Sequence, residues 1–121
     1  MSSIYLSHSF SSELKNRRYL LKLLIREIRR FDSGLKNIVF LYSPAQNLKV
    51  FKVYLDKNKV RVAVLFKVDK NIFIPFFIAR KESKNGWNLS KYSAPILAND
   101  ILRIHQDVEH GNYDKIIIGF D

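Results

Sequence analysis

The chain of 121 residues reads as an α+β domain. An N-terminal helix packs on a mainly antiparallel sheet of about four strands, and a C-terminal helix and short strand follow. Three observations predict this. Apolar residues recur at helical spacing from Leu14 to Phe31. Strict alternation then takes over between Lys49 and Val68, and helical spacing returns from Leu97 to Val108. With 47% hydrophobic residues the chain can bury one core, and its length suits one domain rather than two.

The elements follow in order. Ile4–Ser9 is a short strand candidate. Ser11 or Ser12 can cap a helix, and Glu13 in its first turn complements the helix dipole. That helix runs to about Phe31, with Leu14, Leu21, Leu24, Ile25, Ile28 and Phe31 as its buried stripe. Lys15, Arg18, Lys22, Arg26 and Arg29 form a second stripe about 100° further round. This stripe can hold RNA backbone, or stand as a solvated face. Asp32-Ser33-Gly34 stops the helix.

Ile38–Tyr42 is the next strand, and Ser43-Pro44 with Gln46-Asn47 marks a loop. Lys49–Leu55 and Val60–Val68 are the clearest strands, joined by a hairpin turn over Asp56–Lys59. Ile72–Ala79 is a strand covered on both faces. Pro75 within it requires an edge or a bulge, because proline donates no ladder hydrogen bond. Pro95 suits the first turn of a helix from Ala94 to Glu109. Leu97, Ile101, Leu102, Ile104 and Val108 are its apolar stripe. Gly111-Asn112 ends it, and Ile116–Phe120 is a terminal strand.

Lys and Arg outnumber Asp and Glu by 21 to 11, a net charge of +10. Residues 1–48 carry +5, residues 49–91 carry +8 and residues 92–121 carry −3. A basic body with an acidic end calls for an anionic partner, nucleic acid being the commonest. Surface lysines that serve solubility are the plainer reading. The chain has no cysteine, which excludes disulfides, thiolate metal sites and a Cys nucleophile and suits a reducing cytoplasm. The N-terminus lacks the marks of a signal peptide. The longest apolar run, Ile72–Ala79, is far below the ~20 residues that span a bilayer. A cytoplasmic location without membrane contact is expected.

The hairpin carries the site. Phe51, Val53 and Leu55 point one way; Val50, Lys52 and Tyr54 point the other. Val60, Val62, Val64, Phe66 and Val68 form an apolar face, with Arg61, Ala63, Leu65 and Lys67 opposite. If Lys57-Asn58 is a two-residue turn, Tyr54 falls opposite Arg61 and Lys52 opposite Ala63. A slip by one residue would bury Arg61. Lys52, Tyr54 and Arg61 then share one exposed basic face, read as an RNA-binding surface. Arg80-Lys81 ends the third strand and Trp87 follows, so an antiparallel third strand can bring them toward that face. Cations bind phosphate, Arg bidentately, and aromatic rings stack on unpaired bases. A solvated strand face with incidental charges fits the same pattern.

Lys52-Val-Tyr-Leu, Arg61-Val-Ala-Val-Leu and Phe-Ile-Ala-Arg80-Lys81-Glu resemble the RelE family of bacterial toxins, in the RelE/ParE superfamily. The preceding SIYLSHSFSSELKNRR is similar to that family's first strand running into a helix. The resemblance covers roughly residues 4–92 and implies a single RelE-like domain over 1–121, with 94–121 as an extension. It implies an endoribonuclease (an mRNA interferase) that cleaves mRNA, often on the ribosome, and is silenced by an acidic cognate antitoxin. Lys52 would be a general base or phosphate ligand, and Arg61 would stabilise the phosphorane-like transition state. Lys81 or Arg80 would assist the leaving oxygen, and Trp87 or Tyr92 would stack on a base. The reaction would be attack by the ribose 2′-hydroxyl on the adjacent phosphate, with no metal or other cofactor. Tyr54 stands where the family often has a second basic residue, so Lys52 and Tyr54 share the candidacy for proton acceptor. Lys67 joins the RNA-binding set.

Other chemistries have less support. His105 and His110 are five apart, a poor spacing for one helix face, and no His-x-x-x-His pattern exists with His8 or elsewhere. Ser90 and Ser93 lack nearby His and Asp companions. Two alternatives to the nuclease stand: a non-catalytic ParE-like toxin that targets a protein, and a basic nucleic-acid-binding protein.

Overall fold

The computed structural model describes residues 2–31, 37–80 and 93–118. Its elements are β1 (Ser2–Ser7), α1 (His8–Glu13), α2 (Arg18–Arg29), β2 (Ile38–Ala45) and β3 (Leu48–Leu55). They continue with β4 (Val60–Lys67), β5 (Ile72–Arg80), α3 (Ala94–Glu109) and β6 (Tyr113–Ile118). The α+β class stands, but the sheet has six strands rather than about four, in the order β2-β3-β4-β5-β1-β6. Both terminal strands join the central meander. β1 lies parallel to β5, with Ile4 beside Phe73, and antiparallel to β6 along its whole length. Tyr5 and Tyr113 stack at 4.4 Å across that outer pair.

The expected single N-terminal helix is two. Leu14 and Leu20 are both buried, yet six residues on a continuous helix would set them about 120° apart. A turn after Glu13 reorients the chain so that both reach the core. Ser7, not Ser11 or Ser12, caps α1: its Oγ accepts from the Phe10 backbone N–H at 3.2 Å. α2 then buries Leu20, Leu24 and Ile28. Glu27 is also buried, its carboxylate 4.0 Å from Arg26 Nε.

The sheet is covered on both faces. α1 and α2 lie over Ile4, Val53, Leu55, Val62, Val64 and Phe73, where Phe31 packs its ring against Phe51, Phe66 and Phe73 at 5.1–5.4 Å. On the other face α3 packs against β5 and β1, and its Leu97 and Ile104 join Val50, Ala63, Leu65, Ile72 and Ile74 in one buried cluster. Leu102, expected in the buried stripe, is 57% exposed. It sits about 140° round from Leu97, whereas Ile101, Ile104 and Val108 stay within about 40° of it.

Proline positions follow ladder chemistry. Pro44 lies in β2, which runs on through the expected Ser43-Pro44 loop to Ala45 because β2 is an edge of the sheet. Pro75 sits in the central strand β5 and is accommodated by a bulge: Ala63 pairs with Phe77 and Val64 with Pro75, so Phe76 is extra. Pairing of β5 to β1 involves Ile72 and Phe73, before Pro75 is reached. The helix stop expected at Asp32-Ser33-Gly34 and the strand end at Phe120 lie outside the described residues.

The two helical layers meet at the end of β1. Asp107 Oδ2 of α3 accepts from the Ser9 hydroxyl at 2.7 Å and from the Ser9 backbone N–H at 3.2 Å. Gly111 ends α3 at φ +74°, where a side chain would be strained. Asp107→Ala leaves both Ser9 donors without this acceptor. It should lower unfolding free energy by about 1–3 kcal/mol in urea denaturation.

Candidate RNA-binding face

The β3–β4 hairpin positions the face. Its tip is a tight turn: Lys57 and Asn58 take φ of 54° and 68°, and the Lys59 N–H donates to the Asp56 carbonyl at 3.0 Å. Asp56 before them is also left-handed, at φ 51°; the two central left-handed residues, Lys57 and Asn58, match the strand twist. The resulting register pairs Tyr54 with Arg61, Lys52 with Ala63 and Val53 with Val62. Val53 and Val62 face α2, so Lys52, Tyr54 and Arg61 face the α3 side of the sheet.

The three side chains converge. Lys52 Nζ lies 5.1 Å from the centroid of the Tyr54 ring, and Arg61 Cζ lies 4.9 Å from it. Both are within cation–π range, worth about 0.5–2 kcal/mol each depending on desolvation. The ring thus holds two like charges within about 10 Å of each other. Left to Coulomb repulsion, such charges favour separation. The Tyr54 backbone N–H donates to the Asn37 carbonyl at 2.8 Å, which ties this end of β3 to the chain entering β2.

The face differs from the expected open surface in two respects. Lys52, Tyr54 and Arg61 are each half-buried. The face is also divided along β4, because Ala63 and Leu65 are fully buried beyond Arg61. Cation and ring therefore lie at the edge of a packed layer, where water screens charge less than on an open strand.

Neighbouring strands supply the rest of the rim. Val39 pairs with Lys52 on one side, and Phe77 pairs with Ala63 on the other. Ala79 pairs with Arg61. Two small residues, Ala63 and Ala79, thus adjoin Arg61 along and across the sheet. The sequence did not point to Val39, Phe77 or Ala79. Their places depend on the β2 register and on the bulge in β5, and neither follows from alternation within the hairpin.

Of the remaining candidates, Lys67 falls elsewhere. Lys67 shares the face of Arg61 but lies six residues along β4, about 20 Å away at strand rise. It neighbours His105 of α3 instead. Arg80 pairs with Val60, one place beyond the Arg61–Ala79 pair. The Arg80 side chain and residues Lys81, Trp87 and Tyr92 lie outside the described residues. Among the described residues no group of three or more His, Asp or Glu side chains is placed to hold a metal ion. No helix among them is long and apolar enough to cross a membrane. Comparison of the chain with protein-family models, with curated proteins and with solved structures finds no match.

Burial, with the Lys67 ammonium second, pushes the His105 imidazole below its usual value of 6.5; Glu109 acts the other way. The folded state therefore favours neutral His105, and the unfolded chain binds the proton more readily. Stability from this group is present above pH 6.5 and is lost as the pH falls below it. Subtracting the His105→Gln stability profile from that of the parent chain should give a difference that declines on acidification. Lys67→Met should shrink that decline.

Proposed function

We propose that this chain is a RelE-type toxin that grips mRNA through Lys52, Tyr54 and Arg61 and cleaves it. The observation that carries this reading is the convergence of the Lys52 and Arg61 cations on the Tyr54 ring, on one side of a fixed hairpin. A guanidinium can hold two oxygens of one phosphate, and an ammonium beside it can hold a third. In the proposed reaction the ribose 2′-oxygen attacks the adjacent phosphorus. Tyr54 as phenolate, with the Lys52 ammonium on the phosphate, or else Lys52 itself as free amine, takes the 2′ proton, and Arg61 stabilises the extra negative charge as the phosphorane forms. The bond to the 5′-oxygen breaks; Lys81 or Arg80 neutralises the charge on that oxygen, which takes a proton from the Lys81 ammonium or from water. The products are a 2′,3′-cyclic phosphate and a 5′-hydroxyl. No metal takes part in this scheme, the ribosome is the setting the resemblance suggests, and the cytoplasm is its compartment.

The net charge of +10 suits an acidic antitoxin as the silencing partner. Val39, 39% exposed on edge strand β2 and paired with Lys52, offers such a partner apolar contact beside the cations.

A second reading, RNA binding without cleavage, draws on the placement of the histidines. His105 faces Lys67 and His8 lines the turn between α1 and α2. The described side chains best suited to neutral-pH proton transfer thus serve other surroundings.

Expression in a bacterial host separates the readings. The nuclease reading predicts growth arrest with cleaved mRNA, and loss of both with Lys52→Ala and Arg61→Ala combined. For the purified protein, Arg61→Ala alone should slow cleavage roughly 10²–10³-fold, and EDTA should leave the rate unchanged. Arrest with intact mRNA would favour the ParE-like, protein-targeting alternative. RNA affinity without arrest or cleavage would favour simple binding.

A further inference from the structure

On the other side of the sheet, the elbow between α1 and α2 holds an open hollow of about 380 Å³ lined by His8, Ser11, Ser12, Lys15 and Arg18. His8, Ser11 and Ser12 recur at intervals of three and four and so share one face of α1, and Lys15 follows in the turn that leads to α2. The lining carries two permanent cations, an imidazole and two hydroxyls, and no acid. Ser12 Oγ donates to the His8 carbonyl at 3.0 Å, which fixes that side of the hollow.

The charge around it is unbalanced in one direction. α2 begins with no acid in its first turn and no side-chain bond from its N-cap, Arg17. The positive end of the helix dipole therefore adds to Lys15, Arg17 and Arg18 instead of offsetting them. Glu13, the acid nearest in sequence, faces Arg103 and Arg17 rather than lining the hollow, and its partial burial pushes its carboxyl above the usual range. From Arg18 the exposed cations Lys22, Arg26 and Arg29 continue along the outer side of α2.

We propose that the hollow binds a phosphate group, and that the track along α2 takes the rest of a polyanion carrying it. The surface is independent of the Lys52–Tyr54–Arg61 face, which lies on the opposite side of the sheet. A phosphate dianion there accepts from Arg18, Lys15 and Ser11 together. It also supplies the negative charge that the head of α2 lacks. The phosphate can be free or part of a nucleic-acid strand, and the two sources differ in whether the track is engaged.

Amide chemical-shift titration of the full chain tests this, with inorganic phosphate in one arm and a 5′-phosphorylated single-stranded RNA in the other. Phosphate should shift the amides of His8, Ser11, Ser12, Lys15 and Arg18. A nucleic-acid source should extend the shifts to Lys22, Arg26 and Arg29. A free-phosphate source should leave those three unmoved by RNA. Lys15→Gln with Arg18→Gln should abolish the phosphate shifts at an unchanged unfolding midpoint. For an RNA source, the log–log salt slope of binding should also fall by roughly 0.7 for each phosphate no longer neutralised. Elbow amides unmoved in both arms would overturn the proposal, as would phosphate shifts that survive the double substitution. Both substituted residues are exposed, and Lys52→Gln with Arg61→Gln should leave the phosphate shifts intact.

Discussion

Burial of one valine-rich face under α2 is the constraint on which the rest depends. Val53, Leu55, Val60, Val62 and Val64 point into that layer, and each is almost wholly removed from water. A register shifted by one residue would put Arg61 in their place and move its neighbours to the far side. Burying a guanidinium in that apolar layer costs several kcal/mol, far more than the hairpin turn could repay. The same burial that builds the core thus fixes Tyr54 opposite Arg61 and turns Lys52, Tyr54 and Arg61 outward together.

Function, on this account, grows from what the second helical layer leaves uncovered. Leu97 and Ile104 of α3 share a buried cluster with Ala63 and Leu65, and the face continues to half-buried Arg61, so the charged group stands at the edge of that cluster. Placement there has two effects. Attraction between a cation and a ring is stronger where water is partly excluded, and so is attraction between a cation and a phosphate. Tyr54 links the two: its ring lies within cation–π range of both Lys52 and Arg61, so less must be ordered when an anion arrives.

Much of this was legible in the residues because alternation is a local signal. The hairpin register, the extent of α3 and the need for a bulge or an edge at Pro75 all follow from spacing and backbone chemistry over a few positions. What was not legible depends on contacts distant in sequence. A continuous apolar stripe suggested one N-terminal helix, and the break after Glu13 arises because Phe10, Leu14 and Leu20 all find room in the core. The join of β1 with β5 and β6 brings the chain ends together, which no local pattern encodes. Lys67 was grouped with Arg61 by parity alone, and strand length separates them. The shift at Phe76 sets Ala79 rather than Ile78 beside Arg61, and counting along a regular strand gives no sign of it.

The central claim is that the Tyr54 ring organises Lys52 and Arg61 into one RNA-binding face. Affinity for a short single-stranded RNA, compared between Tyr54→Phe and Tyr54→Leu, tests it most directly. Phenylalanine keeps the ring and leucine removes it at similar apolar bulk. The account predicts near-parent affinity for Tyr54→Phe and a loss of about 1–3 kcal/mol for Tyr54→Leu, the range for a base-stacking ring. Equal affinity for the two variants would contradict it.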